Sequence, residues 1–198
     1  MIRNTFDKGP EGWCSYDYHW SIVAKGTNIF ILTTWQPRGG VKDSGYIWCD
    51  ETRWSADTPE NPVSILAFIT YVNWTGGERM DLRDAEVSFY LRGDGLQLHG
   101  AKAYFWVLNP GNRWHMTSQP LAISEDRWAD QPNRIVLRND ESLWHQSWAG
   151  DPPSKPRPLD AVLADVESYG ISLVGFGQEP QGKLSLDEFA IRLRAERT

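Results

Sequence analysis

The chain has 198 residues, 40% apolar and 23% charged, and its twenty basic and twenty-six acidic side chains leave a formal net charge of −6. These are globular values, and the scattered Arg and Lys argue against a nucleic-acid surface. The length suits one domain, 1–198, with a sizeable core.

The start, MIRNTFDKG, has neither an apolar h-region nor a small-residue cleavage site, so no signal peptide is expected in this chain, and it leaves the compartment open. Period-two runs bounded by Gly, Pro, Asn and Asp then recur, and they predict strands. The first is 28–35 (NIFILTTW). A turn-rich stretch, 36–62, separates it from 63–72 (VSILAFITYV), which covers only half of the ~20 residues a membrane-spanning helix needs.

The clearest alternation is 85–92 (AEVSFYLR), with Ala85, Val87, Phe89 and Leu91 on one side and Glu86, Ser88, Tyr90 and Arg92 on the other. After GDGLQLHG comes 101–108 (AKAYFWVL), with Phe105 and Val107 inward and Tyr104 and Trp106 outward. GDG at 93–95 reads as turn chemistry, which predicts that 85–92 and 101–108 form a hairpin. Further strands are expected at 113–117, 133–138, 170–176 and 184–193. The one predicted helix, 159–167, follows the Pro-rich DPPSKPRP and carries Leu159, Val162, Leu163 and Val166 at helical spacing. The sum is an all-β fold, a two-sheet antiparallel β-sandwich of the jelly-roll kind with one short helix.

The anomaly is aromatic: eleven Trp, seven Tyr and seven Phe. Tyr and Trp pair an apolar body with a polar edge. On a shared hairpin face, Tyr90, Arg92, Tyr104 and Trp106 would form a platform, since cross-strand neighbours lie ~5 Å apart. Sugars offer C–H faces to flat rings and hydroxyls to Arg, so such a platform suits a saccharide. The competing reading places these rings under a loop or helix as a second small core. Trp114 and Trp148, in the His-bearing segments RWHMT and LWHQSW, are further ligand candidates, with packing against the sheet edge as the competing role.

Asp7 near the start and Asp187 near the finish lie where the ends of a jelly roll run side by side, and carboxylates converging there can hold a structural calcium; a turn Asp and a solvated Asp are the plain alternative. Cys14 and Cys49 are open to either a disulfide or two buried thiols. No paired-Cys or H-E-x-x-H metal motif, nucleophile elbow, P-loop or recognisable carboxylate pair is present, so no catalytic residue is assigned.

The opening FDKGPEGW, the central AEVSFYLRGDG and AKAYFWVLN, and the ending GKLSLDEFAI resemble the galactose-binding-like jelly rolls, the scaffold of many carbohydrate-binding modules and lectin-like domains. The stretch 36–62 departs from that pattern and is similar to the opening of laminin-type sandwich domains. The resemblance implies calcium at Asp7 and Asp187, and a concave binding face carrying Tyr90, Arg92, Tyr104 and Trp106. The expectation is a non-enzymatic module that binds a saccharide or polysaccharide, with no nucleic-acid or membrane partner. A protein-interaction module, whose hot spots also use Trp, Tyr and Arg, and a polysaccharide-active enzyme on a concanavalin-like sandwich are the alternatives.

Overall fold

The computed structural model describes residues 1–16, 30–54, 56–58, 61–109, 112–147 and 157–194. In chain order the strands are β1 (Ile2–Asn4), β2 (Cys14–Tyr16), β3 (Phe30–Leu32), β4 (Thr34–Gln36), β5 (Tyr46–Asp50), β6 (Ala56–Thr58), β7 (Asn61–Tyr71) and β8 (Glu86–Gln97). They continue with β9 (Lys102–Asn109), β10 (Asn112–His115), β11 (Ser124–Glu125), β12 (Asn133–Val136), β13 (His145–Ser147), β14 (Ser168–Val174) and β15 (Gln181–Arg192).

The strands form two sheets. A seven-stranded sheet runs β11-β8-β15-β5-β4, with β1 on β15 and β12 on β8. An eight-stranded sheet runs β13-β10-β9-β14-β7-β2-β3, with β6 on β7. Among the described residues all strand pairings are antiparallel except β11 with β8. The expected two-sheet β-sandwich is what the chain forms, with one short α-helix among the described residues. Among the described residues, no helix is long and apolar enough to cross a membrane.

Alternation sets the layers. Val87, Phe89 and Leu91 of β8 and Leu184, Leu186, Phe189 and Ile191 of β15 face inward, where they meet Phe105, Val107, Tyr169, Ile171 and Leu173 of the other sheet. The rings of Trp13, Phe89, Phe105, Tyr169 and Phe189 interlock at the centre, with Tyr169 and Phe189 stacked at 5.5 Å. The helix, Leu159–Leu163, buries Leu159, Val162 and Leu163. It ends earlier than its periodicity suggests, because Val166 exchanges backbone hydrogen bonds with Met80 instead of continuing the turn.

The predicted hairpin is not formed. β8 pairs with β15, β12 and β11, while β9 pairs with β10 and β14 in the opposite sheet. Both strands do turn their apolar sides to the core, but alternation is the same whether two strands lie beside each other or face each other. GDG is not a turn either: Gly93, Asp94 and Gly95 lie inside β8, and the chain crosses between sheets after Gln97. The run 28–35 likewise divides at Thr33, with β3 in one sheet and β4 in the other. The turn-rich stretch 36–62 contains β5, which pairs with β15 and β4 within the seven-stranded sheet.

Cys14 and Cys49 are buried free thiols in separate apolar clusters, Cys49 between the sheets and Cys14 on the outer side of the eight-stranded sheet. Each donates to a backbone carbonyl, Cys14 to Ile69 and Cys49 to Ala67. The disulfide alternative is thereby set aside.

Candidate functional site

On the outer surface of the seven-stranded sheet, Ser88, Tyr90, Arg92 and Asp94 of β8 stand opposite Ala190, Asp187, Ser185 and Lys183 of β15. A cavity of about 320 Å³ opens here, lined by Ser88, Tyr90 and Ala190 from the sheet, Val41 and Lys42 from a loop, and Arg3, Glu188 and Arg192 among its charged groups. Small side chains at Ser88 and Ala190 leave the space, and Tyr90 supplies the aromatic surface. Among the described residues the Tyr90 hydroxyl has no hydrogen-bond partner and is available to a ligand.

Two anchors hold the loop that closes this cavity. One is Asp187, fully buried, whose Oδ2 accepts from the Val41 N–H at 2.6 Å and from Ser44 Oγ at 2.9 Å, while Oδ1 accepts from the Glu188 N–H at 2.6 Å. Burial pushes its carboxyl up to about 6, against the opposing pull of those donors. Gly40 is required beside it, since a Cβ there would sit 2.5 Å from Asp187 Oδ2. The second anchor is the Gly39 carbonyl, which accepts from Arg92 at 3.3 Å and Trp128 Nε1 at 2.8 Å. Between them the loop holds Lys42 and Asp43 at φ 58° and 64°, left-handed backbone that costs a non-glycine residue on the order of 1 kcal/mol each.

Arg92 is therefore a positioning residue rather than the free hydroxyl donor the sequence suggests. Its guanidinium lies 4.9 Å over Tyr46 and 4.7 Å over Trp128 and is bonded to Asp94, the Tyr46 hydroxyl and Gly39. A β-bulge between Asp187 and Ala190 shapes the other side. It places Glu188 at φ 48°, where it accepts from Arg3 at 2.9 Å; bulges commonly re-aim side chains in this way.

Tyr104 and Trp106 stand on the opposite outer surface, that of the eight-stranded sheet, so the four-residue platform does not exist as one face. Tyr104 is half-buried, and Trp106 is fully buried in a cluster with Cys14, Leu66, Ile69 and Leu108. The Trp106 indole reaches across Gly170, where a Cβ would meet it at 2.7 Å and the Phe68 carbonyl oxygen at 2.0 Å. Arg113 lies 4.8 Å over the same ring. Beside it the His115 ring meets Ser172 Oγ at 2.8 Å, and burial, with Arg113 and His145 adding, drives its pKa well down so that it stays neutral. This is the second small core that the sequence left open, made by lining one strand with a ring and its neighbour with glycine.

Trp114 belongs to the main core, with its indole N–H donating to the Arg157 carbonyl. Trp148 lies outside the described residues. Asp7 is exposed and accepts from Thr5 Oγ1 at 2.8 Å. With both oxygens of Asp187 already facing N–H and O–H donors, these two carboxylates do not by themselves supply the six to eight oxygens that calcium takes. Among the described residues no group of three His, Cys, Asp or Glu side chains converges as a metal site.

Sequence reasoning missed Trp128 and Lys42, which sit in loops without periodicity, and Trp48. The last shares the outer surface of the seven-stranded sheet, with Lys183 and Arg53 5.4 and 5.8 Å from its ring. The alternation in YIWCD, with Ile47 and Cys49 inward, was the available signal.

No protein-family model and no curated protein matches the sequence. Among solved structures, the family 11 carbohydrate-binding module of the cellulosomal cellulase Lic26A-Cel5E of Clostridium thermocellum superposes with a TM-score of 0.51 at 12% identity, over 100% of this chain and 98% of that one. The chain has the β-sandwich fold of that module. More distant are a carbohydrate-binding module of family 28 specific for non-crystalline cellulose (TM-score 0.44, 9% identity, 96% and 93% covered) and the L4b domain of human laminin alpha-2 (0.38, 11%, 82% and 98%). Such a sandwich hosts many functions, so the chemistry has to be read from the cavity. It offers a ring with a free hydroxyl, a small polar floor and several cations.

Proposed function

We propose that the chain is a non-catalytic saccharide-binding module whose ligand seats in the cavity beside Tyr90. The observation that carries this reading is the cavity itself, about 320 Å³ with an aromatic wall and polar neighbours, at the lower end of the ~300–1,000 Å³ usual for small-molecule sites. A pyranose ring presents C–H groups on its face and hydroxyls around its edge. Tyr90 meets the first with its ring and the second with its hydroxyl, and Ser88, Lys42 and Arg192 add hydrogen-bonding groups.

Binding without bond cleavage fits the same residues. Glycoside hydrolysis uses a pair of carboxyl groups across the scissile bond, whereas Glu188, the carboxylate among the cavity's lining residues, is engaged by Arg3. The likeness in fold to a carbohydrate-binding module is consistent with this role. Affinity electrophoresis through gels loaded with a panel of soluble polysaccharides tests it. At least one polysaccharide should retard the native protein and leave Tyr90→Ala unretarded; free migration through every gel would reject the proposal.

A further inference from the structure

The chain is acidic as a whole, yet its cavity is basic. Among the described residues, Arg3, Lys42 and Arg192 line it against the single carboxylate of Glu188, in a molecule with a net charge of −6. Glu188 is already paired with Arg3 at 2.9 Å. Arg192 stands in register with Glu86, but Glu86 is taken by Arg134 at 3.1 Å. Asp43, next to Lys42, turns back to accept from the Gly39 N–H at 3.1 Å. Arg192 and Lys42 are thus left without a hydrogen bond or ion pair among the described residues, in the lining of the same cavity as a ring with a free hydroxyl. The backbone that carries Lys42, moreover, is held in place, because Asp187 binds Val41 before it and Ser44 after it.

We infer that the ligand is an acidic saccharide, whose carboxylate or sulfate group is bound by Lys42 and Arg192 while its sugar ring lies against Tyr90. This rests on the cavity being a saccharide site. Two unpaired cations beside an aromatic wall would be a poor match for a purely neutral glycan, whose hydroxyls need acceptors as well as donors, whereas an anion takes donors alone. Uronates and sulfate esters share this chemistry.

The experiment measures equilibrium binding to matched pairs: polygalacturonate against its highly methyl-esterified form for the carboxylate, and carrageenan against agarose for the sulfate. It compares the native protein with Lys42→Gln/Arg192→Gln, Tyr90→Ala, and Lys102→Gln, which removes an exposed cation from the opposite outer surface. Native protein should bind one acidic member at least about tenfold more tightly than its neutral partner, and the double variant should lose about tenfold or more of that affinity. Lys102→Gln should bind as the native protein does, and melting temperatures of the Gln variants should be unchanged. Binding to a neutral polysaccharide that needs Tyr90 but is indifferent to Lys42 and Arg192 would overturn the acidic-ligand inference and leave the saccharide reading standing. Acidic binding weakened equally by Lys102→Gln would also overturn it, as diffuse charge attraction. No binding to any of the four polymers would overturn the inference, with the wider gel panel deciding the fate of the saccharide reading itself.

Discussion

Phe89 and Phe105 stack across the core with their rings 6.4 Å apart, and their neighbours Tyr90 and Tyr104 consequently stand on opposite outer surfaces of the sandwich. One pair of facing rings thereby divides the expected aromatic platform into two surfaces with different roles. The Tyr90 side carries an open cavity, and the Trp106 side carries a packed cluster.

Trp106 is expected to be structural. Replacing it with Ala removes a fully buried ring from above Gly170 and beneath Arg113, and should cost ~3–5 kcal/mol, read as a lower urea midpoint with an unchanged slope. A loss under about 1 kcal/mol would mean that the ring is not packed as described.

Stability should carry the signature of Asp187. Its carboxyl titrates near 3.8 when free and at about 6 in the fold, so the folded state holds the proton more tightly. Its favourable contribution is complete in acid below the free value and is lost as the pH rises through about 6, a change on the order of 2–3 kcal/mol. Urea melts between about pH 4 and pH 7 should show this decline in native protein and not in Asp187→Asn. The variant should be less stable than native protein in acid, because its amide can replace only part of the acceptor set used by Val41, Ser44 and Glu188. A native profile that rises across that window relative to the variant would contradict the assignment.

The thiols should be silent. Burial pushes Cys14 up to about 12 and raises Cys49 further, and the thiolate is the reactive species. Native protein should resist a thiol-specific chromogenic reagent at pH 8, release two equivalents when unfolded, and melt at the same temperature with or without reductant. A shift in melting on reduction would indicate a bridge.

Calcium was expected at Asp7 and Asp187 from the resemblance of the chain ends. The donors around Asp187 account for that carboxylate without a cation, so chelation should leave the melting temperature unchanged. A fall of several degrees, restored by adding calcium, would assign a cation to these residues.

Much of the fold was legible because burial imposes alternation. The inward sides of 85–92 and 101–108 read correctly, as did the closing strand with Phe189 and Ile191. What alternation could not encode was partnership, since an inward-facing strand obeys the same pattern in either sheet. The continuation of β8 through Gly93 is hidden because glycine marks a turn in one setting and, in another, a strand position over which a side chain packs, here Leu96; the break at Thr33 leaves no marker in its residue types. At the site, Tyr90 was visible as an outward ring. Lys42 and Trp128 were not, because their positions depend on long-range bonds to Asp187 and Gly39 that leave no local pattern.

Ligand is expected on the Tyr90 surface and not on the Trp106 surface. Equilibrium binding of Tyr90→Ala and Tyr104→Ala to the polysaccharide that retards the native protein tests it most directly, since both rings are half-buried and neither substitution removes a fully buried ring. Tyr90→Ala should lose about tenfold or more in affinity while Tyr104→Ala binds as the native protein does. The reverse pattern would place the ligand on the eight-stranded sheet and contradict the assignment.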